Sequence, residues 1–445
     1  MIYMTQETFA TPEAHTIRIY NALILPLTES DVTAKPLVIE GELQIADDRI
    51  TYVGNSADAP VSTQWDREID ACGNVIMPGF KNAHTHSGMT FLRSYADDLP
   101  LQQWLYDKIF PLEAAMTAED VYWSSRLAIL EYLTSGITAN FDMYQKTESI
   151  VQASIDSGFR TVLCGSVNNF VSSPAELEQQ YLRYNDTDPL ISFQLGFHAE
   201  YTTDEKLLRE IAALSQRYSA PVYTHSSETA SEVADCIKRH GATPTVYLNR
   251  LGMFEHGGGG FHCVHMTEED LDICLSGGLW VITNPSSNLK LASGIAPLTR
   301  MLRNGIRLAI GTDGPASNNC LDMFREMFLT TALQKVQDQD ASAMDADVVL
   351  RMAASNGAQA MCLPDCDSLA PGKQADLIML DLHQPNMQPV NEISKNIVYS
   401  GSKQNVKLTM VAGKILYENE KFHLDEDPER IYAKVNETIH RITRS

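Results

Sequence analysis

The sequence has no long hydrophobic run. No stretch approaches the roughly 18 consecutive apolar residues of a transmembrane helix. Residues 1–7 also lack the basic segment and the apolar core that begin a signal peptide. We therefore expect neither a membrane span nor a secretory leader.

Basic residues are scarce. Lys and Arg total 34 against 57 Asp and Glu, which gives a formal net charge of −23 over 445 residues. Such a surface repels phosphate backbones and anionic membranes. This balance argues against nucleic acid and membrane partners and favours a small-molecule ligand, and a homo-oligomer is compatible with it.

Cysteine is also sparse. There are eight cysteines, they are irregularly spaced, and no Cys-x-x-Cys pair or zinc knuckle occurs. We interpret them as reduced, mostly buried thiols of a cytoplasmic protein.

Strand-like segments occur at both ends of the chain. Residues 16–25 and 37–45 have a strand-like pattern, and so do residues 375–381 and 406–417. We predict one small β-sandwich built from residues 1–77 and 370–445, and it includes a C-terminal helix from Pro428.

The middle of the chain, residues 78–369, alternates strand and helix patterns. This alternation predicts a (β/α)8 barrel, with a doubly wound open sheet as the alternative. Thr117 and Asp204 are expected to begin two of the helices, and the glycines at 257–260 to form a turn before the sixth strand. The candidate strands are 74–80, 137–142, 160–166, 191–198, 221–225, 260–264, 279–283 and 307–312.

Metal-capable side chains recur at the C-terminal ends of these strands, where barrel enzymes build their sites. They are His84, His86, His198, His225, His262 and Asp313. The His84-x-His86 spacing puts two imidazoles on one face of an extended segment. With His225 and Asp313 they offer three nitrogens and one carboxylate oxygen, a set that suits zinc and also fits iron. No lysine is expected to bridge a second ion, so we predict one divalent metal ion.

Five motifs resemble the amidohydrolase superfamily, namely PGFKNAHTH at 78–86, HSSE at 225–228, HCVH at 262–265, NPSSNLKL at 284–291 and GTDG at 311–314. Within it, three segments are similar to the 5-methylthioadenosine/S-adenosylhomocysteine deaminases: YADDLPLQQWL at 95–105, PLE at 111–113 and GTDGPASNN at 311–319. The likeness runs from about residue 17 to 421. It implies the barrel fold and hydrolytic chemistry.

The resemblance also implies roles for single residues. His84, His86, His225 and Asp313 match the family's metal ligands, and Asp313 would also accept a proton from water. Glu228 matches the proton shuttle, which protonates the purine nitrogen beside C6. His262 would hydrogen-bond the attacking oxygen. His265 is expected to have a structural role.

Substrate contacts are implied at three further positions. Glu113 matches a carboxylate that holds ribose hydroxyls, His198 a histidine near the ribose, and Trp104 would stack on the ligand or wall it off. The third strand departs from the family pattern, because residues 164–166 are Cys-Gly-Ser and no arginine follows up to residue 175. This absence favours a small, uncharged 5′ group over the amino-acid tail of S-adenosylhomocysteine.

The resulting hypothesis is metal-dependent hydrolytic deamination of the 6-amino group of an adenine nucleoside, either adenosine, 5-methylthioadenosine or S-adenosylhomocysteine. The product would be the inosine analogue with ammonia. The alternative from the same site is an aminohydrolase or chlorohydrolase of another N-heterocycle of the triazine, guanine or pterin type. A non-catalytic protein stabilised by its metal and a cyclic amidase are the remaining hypotheses.

Overall fold

The structure is a computed structural model that describes residues 15–29, 31, 33–62, 64–99 and 103–444. The prediction about residues 1–7 lies outside the described residues. So does the 100–102 part of the motif at 95–105.

Both ends of the chain form one mixed sheet of nine strands. The strands are β1 (Thr16–Ile24), β2 (Ile39–Ala46), β3 (Arg49–Gly54), β4 (Arg67–Asp70), β5 (Val75–Pro78), β14 (Leu377–Leu380), β15 (Val406–Val411), β16 (Lys414–Glu418) and β17 (Lys421–Phe422). Antiparallel pairing of β5 with β14 joins the two ends of the chain. The backbone N–H of Ile50 donates to Lys373 O at 2.9 Å, so that the edge at β3 folds back toward β14. The nine-stranded sheet has a hydrophobic core of its own, which includes Ile19, Leu43 and Met410. The predicted small β domain from both ends is confirmed.

Eight parallel strands form the barrel and pair strictly in chain order. They are β6 (Phe80–Thr85), β7 (Ile137–Asp142), β8 (Arg160–Cys164), β9 (Ile191–Ala199), β10 (Val222–Ser226), β11 (Gly258–His262), β12 (Trp280–Thr283) and β13 (Arg307–Ile310). Just past β13, the N–H groups of Thr312 and Asp313 donate to His84 O at 3.1 and 3.0 Å. These bonds return the last strand to the first, so the barrel is confirmed and the open sheet is wrong.

The predicted first barrel strand, 74–80, is wrong in its bounds. The chain changes sheets at Gly79, whose N–H donates to Asp376 O at 3.0 Å. A Cβ at Gly79 would lie 2.1 Å from Cγ2 of Thr138, so no side chain fits at this crossing. Residues 75–78 of this apolar run therefore belong to β5 and only Phe80 belongs to β6, and the hydrophobicity of the run does not reveal the break.

The turn expected at 257–260 is also wrong, because β11 begins at Gly258. Gly258 has φ 119° and pairs with Val222, whose carbonyl oxygen would lie 1.9 Å from an added Cβ. Glycine is needed here because β10 and β11 approach too closely for any other residue.

The α-helices surround the barrel strands or follow them. They are α1 (Phe110–Ala114), α2 (Ala118–Thr134), α3 (Thr147–Ser157), α4 (Pro174–Tyr184), α5 (Glu205–Tyr218), α6 (Ala230–His240), α7 (Pro244–Arg250), α8 (Glu268–Ser276), α9 (Pro285–Lys290), α10 (Leu298–Arg303), α11 (Met323–Asp338), α12 (Ala346–Ala353), α13 (Ser355–Ala360), α14 (Ile393–Lys395) and α15 (Pro428–Arg444). A π-helical turn, Trp104–Ile109, leads into α1. Thr117 and Asp204 cap α2 and α5 as predicted, each accepting a backbone N–H three residues on. Among the described helices, none combines the length and apolar character needed to cross a bilayer.

Candidate active site

Four predicted metal ligands meet at the C-terminal end of the barrel. His84 and His86 end or follow β6, His225 lies in β10, and Asp313 follows β13. One ligand atom from each side chain lies within 4.8 Å of all the others. Oδ1 of Asp313 is 3.1 Å from Nε2 of His86 and 3.6 Å from Nε2 of His84.

The electrostatics of His84, His225 and Asp313 fit a divalent cation, whereas the pKa of His86 is raised because the Asp313 carboxylate beside it outweighs burial. Burial lowers the pKa of His84 to about 3 and holds that of His225 well below its ordinary value, so both offer neutral nitrogens. Burial opposes ionisation of Asp313, but the imidazoles of His84 and His86 beside its carboxylate outweigh burial and hold its pKa well below the usual range. Neither ring nitrogen of His84 has a hydrogen-bond partner within the described part of the chain. Neutral imidazoles with an ionised carboxylate form a divalent-metal site.

Hydrogen bonds behind the ligands set their orientation. Nδ1 of His86 donates to Met143 O at 2.5 Å, and Nδ1 of His225 donates to His198 O at 2.7 Å. Each bond leaves Nε2 of its ring facing the site. Such outer partners fix the tautomer and the direction of metal-binding histidines.

Asp313 is oriented by two hydroxyl groups. Ser287 and Ser317 donate to its Oδ2 at 2.5 and 2.7 Å, which leaves Oδ1 for the site. The backbone of Asp313 has φ 59°, a left-handed conformation that non-glycine residues rarely adopt. Strain of this kind is maintained only where the surroundings require it, as at functional sites.

His262, at the end of β11, is buried beside the metal ligands. Its Nδ1 is 2.7 Å from Oδ1 of Asn288, so the amide oxygen accepts the Nδ1 proton and Nε2 faces the cavity. Burial lowers its pKa, but the nearby charges of Glu228 and Asp313 outweigh burial and raise it overall. The ring therefore tends toward a proton-bearing form.

Glu228 follows β10 and lines the same cavity. Ser293 donates its hydroxyl to Oε1 of Glu228 at 3.2 Å. The carboxylate of Glu232 accepts the backbone N–H groups of Ser227 and Glu228 at 2.9 and 2.8 Å and thereby holds this loop in place. Glu232 was missed from the sequence, although the Thr229-x-x-Glu232 spacing of a capping box could have revealed it.

A second residue missed from the sequence, Glu326 on α11, joins the first turn of α9 to the loop after β13 behind the site. Its carboxylate accepts the N–H of Ser286 at 3.0 Å and Nδ2 of Asn318 at 2.8 Å. Ser286 precedes Ser287, which holds Asp313, and Asn318 follows Ser317, which holds it too. Burial raises the pKa of Glu326 to about 7.

The cavity above the metal ligands has a volume of about 560 Å³, within the range of small-molecule sites. Glu113, His198 and Trp104 all lie in its wall, together with Glu228 and His262. The structure thus brings every predicted site residue together. His84 is the only one of these predicted site residues that does not line the cavity. Its ring lies behind the cavity wall and stacks on Phe261, with ring centroids 3.8 Å apart.

The three predicted substrate contacts differ in their surroundings. Oε1 of Glu113 is buried without a hydrogen-bond partner in the described structure, and burial raises its pKa to about 7. Nδ1 of His198 is paired with Thr202 Oγ1 at 3.0 Å, and burial lowers its pKa to about 4. Trp104 is only 5% exposed.

His265 contacts Ser293 O through Nε2 at 2.7 Å and is not among the residues of the cavity wall.

Lysine is absent from the described wall of the cavity. The expectation of a single ion stays a prediction.

A sequence model of the amidohydrolase family matches residues 75–416, which include the whole barrel. The chain belongs to this family. Among its relatives is a 5-methylthioadenosine/S-adenosylhomocysteine deaminase of Moorella thermoacetica, 39% identical over 412 residues that cover 91% of this chain and 96% of the relative.

Solved structures of other proteins superpose on nearly the whole chain. An adenosine deaminase of Xanthomonas campestris with bound zinc has a TM-score of 0.90 at 33% identity and covers 97% of this chain and 98% of its own. An atrazine chlorohydrolase of Arthrobacter aurescens has a TM-score of 0.86 at 20% identity, covering 95% and 100%. At 20% identity, the similarity to the chlorohydrolase shows only that the two proteins share a fold.

Proposed function

We propose that the protein catalyses hydrolytic deamination of the 6-amino group of an adenine nucleoside, releasing ammonia and the inosine analogue. One observation carries the proposal: a single cavity joins the four-ligand metal site to Glu228 and His262 on one side and Glu113 on the other. The names of the relatives, which are deaminases of adenosine and its thioether derivatives, support the choice of substrate.

The resident ion is proposed to be zinc, with iron as the alternative, because three imidazoles and one carboxylate suit both. Zinc in the Xanthomonas deaminase supports this choice. A divalent ion supplies a nucleophile at neutral pH, because it lowers the pKa of a water molecule from 15.7 to about 7.

The protein's own residues would move the protons. Asp313 accepts a proton from the attacking water, and His262 donates a hydrogen bond from Nε2 to the oxygen that adds to C6. Glu228 protonates the ring nitrogen beside C6, so that this carbon becomes electrophilic. When the bond from C6 to the amino nitrogen breaks, that nitrogen would take up the proton that Asp313 accepted and leave as ammonia. The hydroxyl on C6 would return a proton to Glu228 as the carbonyl of the inosine analogue forms.

Glu113 is proposed to accept hydrogen bonds from the ribose hydroxyls, since a buried carboxylate oxygen without a partner needs a donor. His198 would reach the same part of the ligand through Nε2, because its Nδ1 is already paired. Trp104 closes the wall beside the ligand.

The chain is proposed to divide into two domains. Residues 1–77 and 370–445 form the β domain, and residues 78–369 form the barrel.

The protein is also proposed to reside in a reducing compartment such as the cytoplasm, because all eight cysteines are free thiols.

The proposal is tested by loading the protein with zinc or iron and measuring ammonia release from adenosine, 5-methylthioadenosine and S-adenosylhomocysteine. Guanine, a pterin and a chlorotriazine are measured in parallel for the alternative activities. We expect turnover of at least one adenine nucleoside and little of the others. A metal-loaded protein that releases no ammonia from any nucleoside would overturn the proposal and favour either the alternatives or a non-catalytic role.

A further inference from the structure

The cavity changes character between its metal end and its mouth. The metal end is buried and polar. At the mouth lie Phe170 and Tyr106, which are 83% and 51% exposed, and beside them the exposed Val171. Large apolar side chains that line a cavity and remain this exposed are available to cover an apolar part of a ligand.

The segment that carries Phe170 is held in place by its own hydrogen bonds. Oδ1 of Asn168 accepts the N–H groups of Phe170 and Val171, both at 2.9 Å. The N–H of Asn168 donates to Val171 O at 3.1 Å. These bonds hold the backbone at Phe170 and Val171 to Asn168 and so position the two apolar side chains at the mouth.

Positive charge is missing from this surface. The described residues of the cavity wall include three carboxylates, Glu113, Glu228 and Asp313, and neither Lys nor Arg. Lys290 is next to the wall residue Leu291, but its Nζ already donates to Asp97 Oδ1 at 2.6 Å, to Ala316 O at 3.0 Å and to Asn319 Oδ1. A ligand carboxylate at the mouth would thus find no lysine or arginine to pair with among the described wall residues.

We propose that this mouth is a subsite for an uncharged, apolar 5′ substituent such as an alkylthio group, and that it disfavours the zwitterionic amino-acid tail of S-adenosylhomocysteine. The inference rests on the proposed function and narrows its substrate class. The cavity is large enough that size does not decide between the two tails. Charge decides, because an ionic group that leaves water without a partner loses its hydration and gains nothing in return.

The test compares two thioethers of equal length. In 5′-butylthio-5′-deoxyadenosine a methyl and a methylene replace the carboxylate and ammonium-bearing carbons of S-adenosylhomocysteine, so the pair differs in charge and hardly in reach. We expect kcat/KM to be at least about tenfold higher for the butylthio compound. Adenosine, which has no thioether, serves as the reference for the deamination itself.

Two variants locate the effect. Phe170→Ala should lower kcat/KM for the butylthio compound by about three- to tenfold more than for adenosine, mainly through KM. Val61→Ala is the matched control, because Val61 is also an exposed apolar residue (94%) but belongs to the β domain. Phe170→Arg should raise kcat/KM for S-adenosylhomocysteine relative to the butylthio compound.

Lys146 is exposed and next to the wall residue Gln145, so a Lys146→Ala variant tests whether this lysine pairs with the carboxylate of S-adenosylhomocysteine. Equal kcat/KM for the two thioethers, or a selective loss of S-adenosylhomocysteine turnover in Lys146→Ala, would overturn the inference. Failure to deaminate adenosine and both thioethers would instead overturn the proposed function, so the two failures are distinguishable.

Discussion

The main-chain carbonyl of His198 accepts the Nδ1 proton of His225 at 2.7 Å. One predicted substrate residue thus holds a metal ligand through its backbone, while its imidazole, paired with Thr202, lies in the cavity wall. The two functions of His198 are separable, because only one of them depends on the side chain.

His198→Ala should therefore keep the metal and lose substrate affinity. We expect metal affinity within about threefold of the wild type and a higher KM for adenosine. His225→Ala is the matched comparison, because it removes a ligand and should weaken metal binding by well over tenfold. Metal titration of the two variants decides, and a loss of metal in His198→Ala equal to that in His225→Ala would contradict the separation.

The ionisation of Glu113 should be visible in the pH dependence of binding. Burial raises its pKa to about 7, so the carboxylate that accepts ribose hydroxyls becomes more populated as the pH rises through 7. The dissociation constant of adenosine should accordingly fall from pH 6 to pH 8, and Glu113→Gln should flatten this change. An unaltered pH profile in Glu113→Gln would remove Glu113 from the ribose contact.

Glu326 should affect both stability and catalysis without touching the ligand. Glu326→Gln replaces one acceptor oxygen by an NH2 group, which would face either Ser286 N–H or the Asn318 amide as a second donor. We expect a loss of about 1–3 kcal/mol in the free energy of unfolding and a lower kcat with little change in KM. Denaturant unfolding and steady-state kinetics measure the two effects.

The pH dependence of stability gives a second test of Glu326. Burial raises its folded pKa from the ordinary 4.5 to about 7, so between these values the folded state binds more protons than the unfolded state. The contribution of Glu326 to stability should therefore be lost as the pH rises from 4.5 to 7. The wild type should lose stability relative to Glu326→Gln over this range, and a difference that does not vary with pH would contradict the assignment.

The site was predictable because its main residues follow local patterns. His225 and Asp313 come at or just after apolar strands, and the rule that barrel sites form at strand C-termini brings them together. Thr117 could be predicted as a helix cap because its side chain accepts a hydrogen bond from a backbone N–H only three residues further along the chain.

The errors and omissions come from long-range contacts. Gly79 separates two sheets because of its contacts with Thr138 and Asp376, far away in the sequence. Glu326, in the first turn of α11, accepts the N–H of Ser286 across 40 residues, and no spacing rule links the starts of these two helices. The apolar rim at Phe170 likewise depends on where a loop lies against the cavity.

Glu228 gives the most direct test of the central claim that this cavity deaminates adenine nucleosides. Ammonia release and metal content are measured in the same preparations of the wild type and Glu228→Gln, with adenosine and 5-methylthioadenosine as substrates. We predict that the wild type releases one ammonia for each inosine-type product formed. The variant should keep its metal and lose turnover by about 10²- to 10⁴-fold, the usual share of a general acid. Undiminished turnover in metal-replete Glu228→Gln, or no ammonia from the metal-replete wild type, would contradict the account.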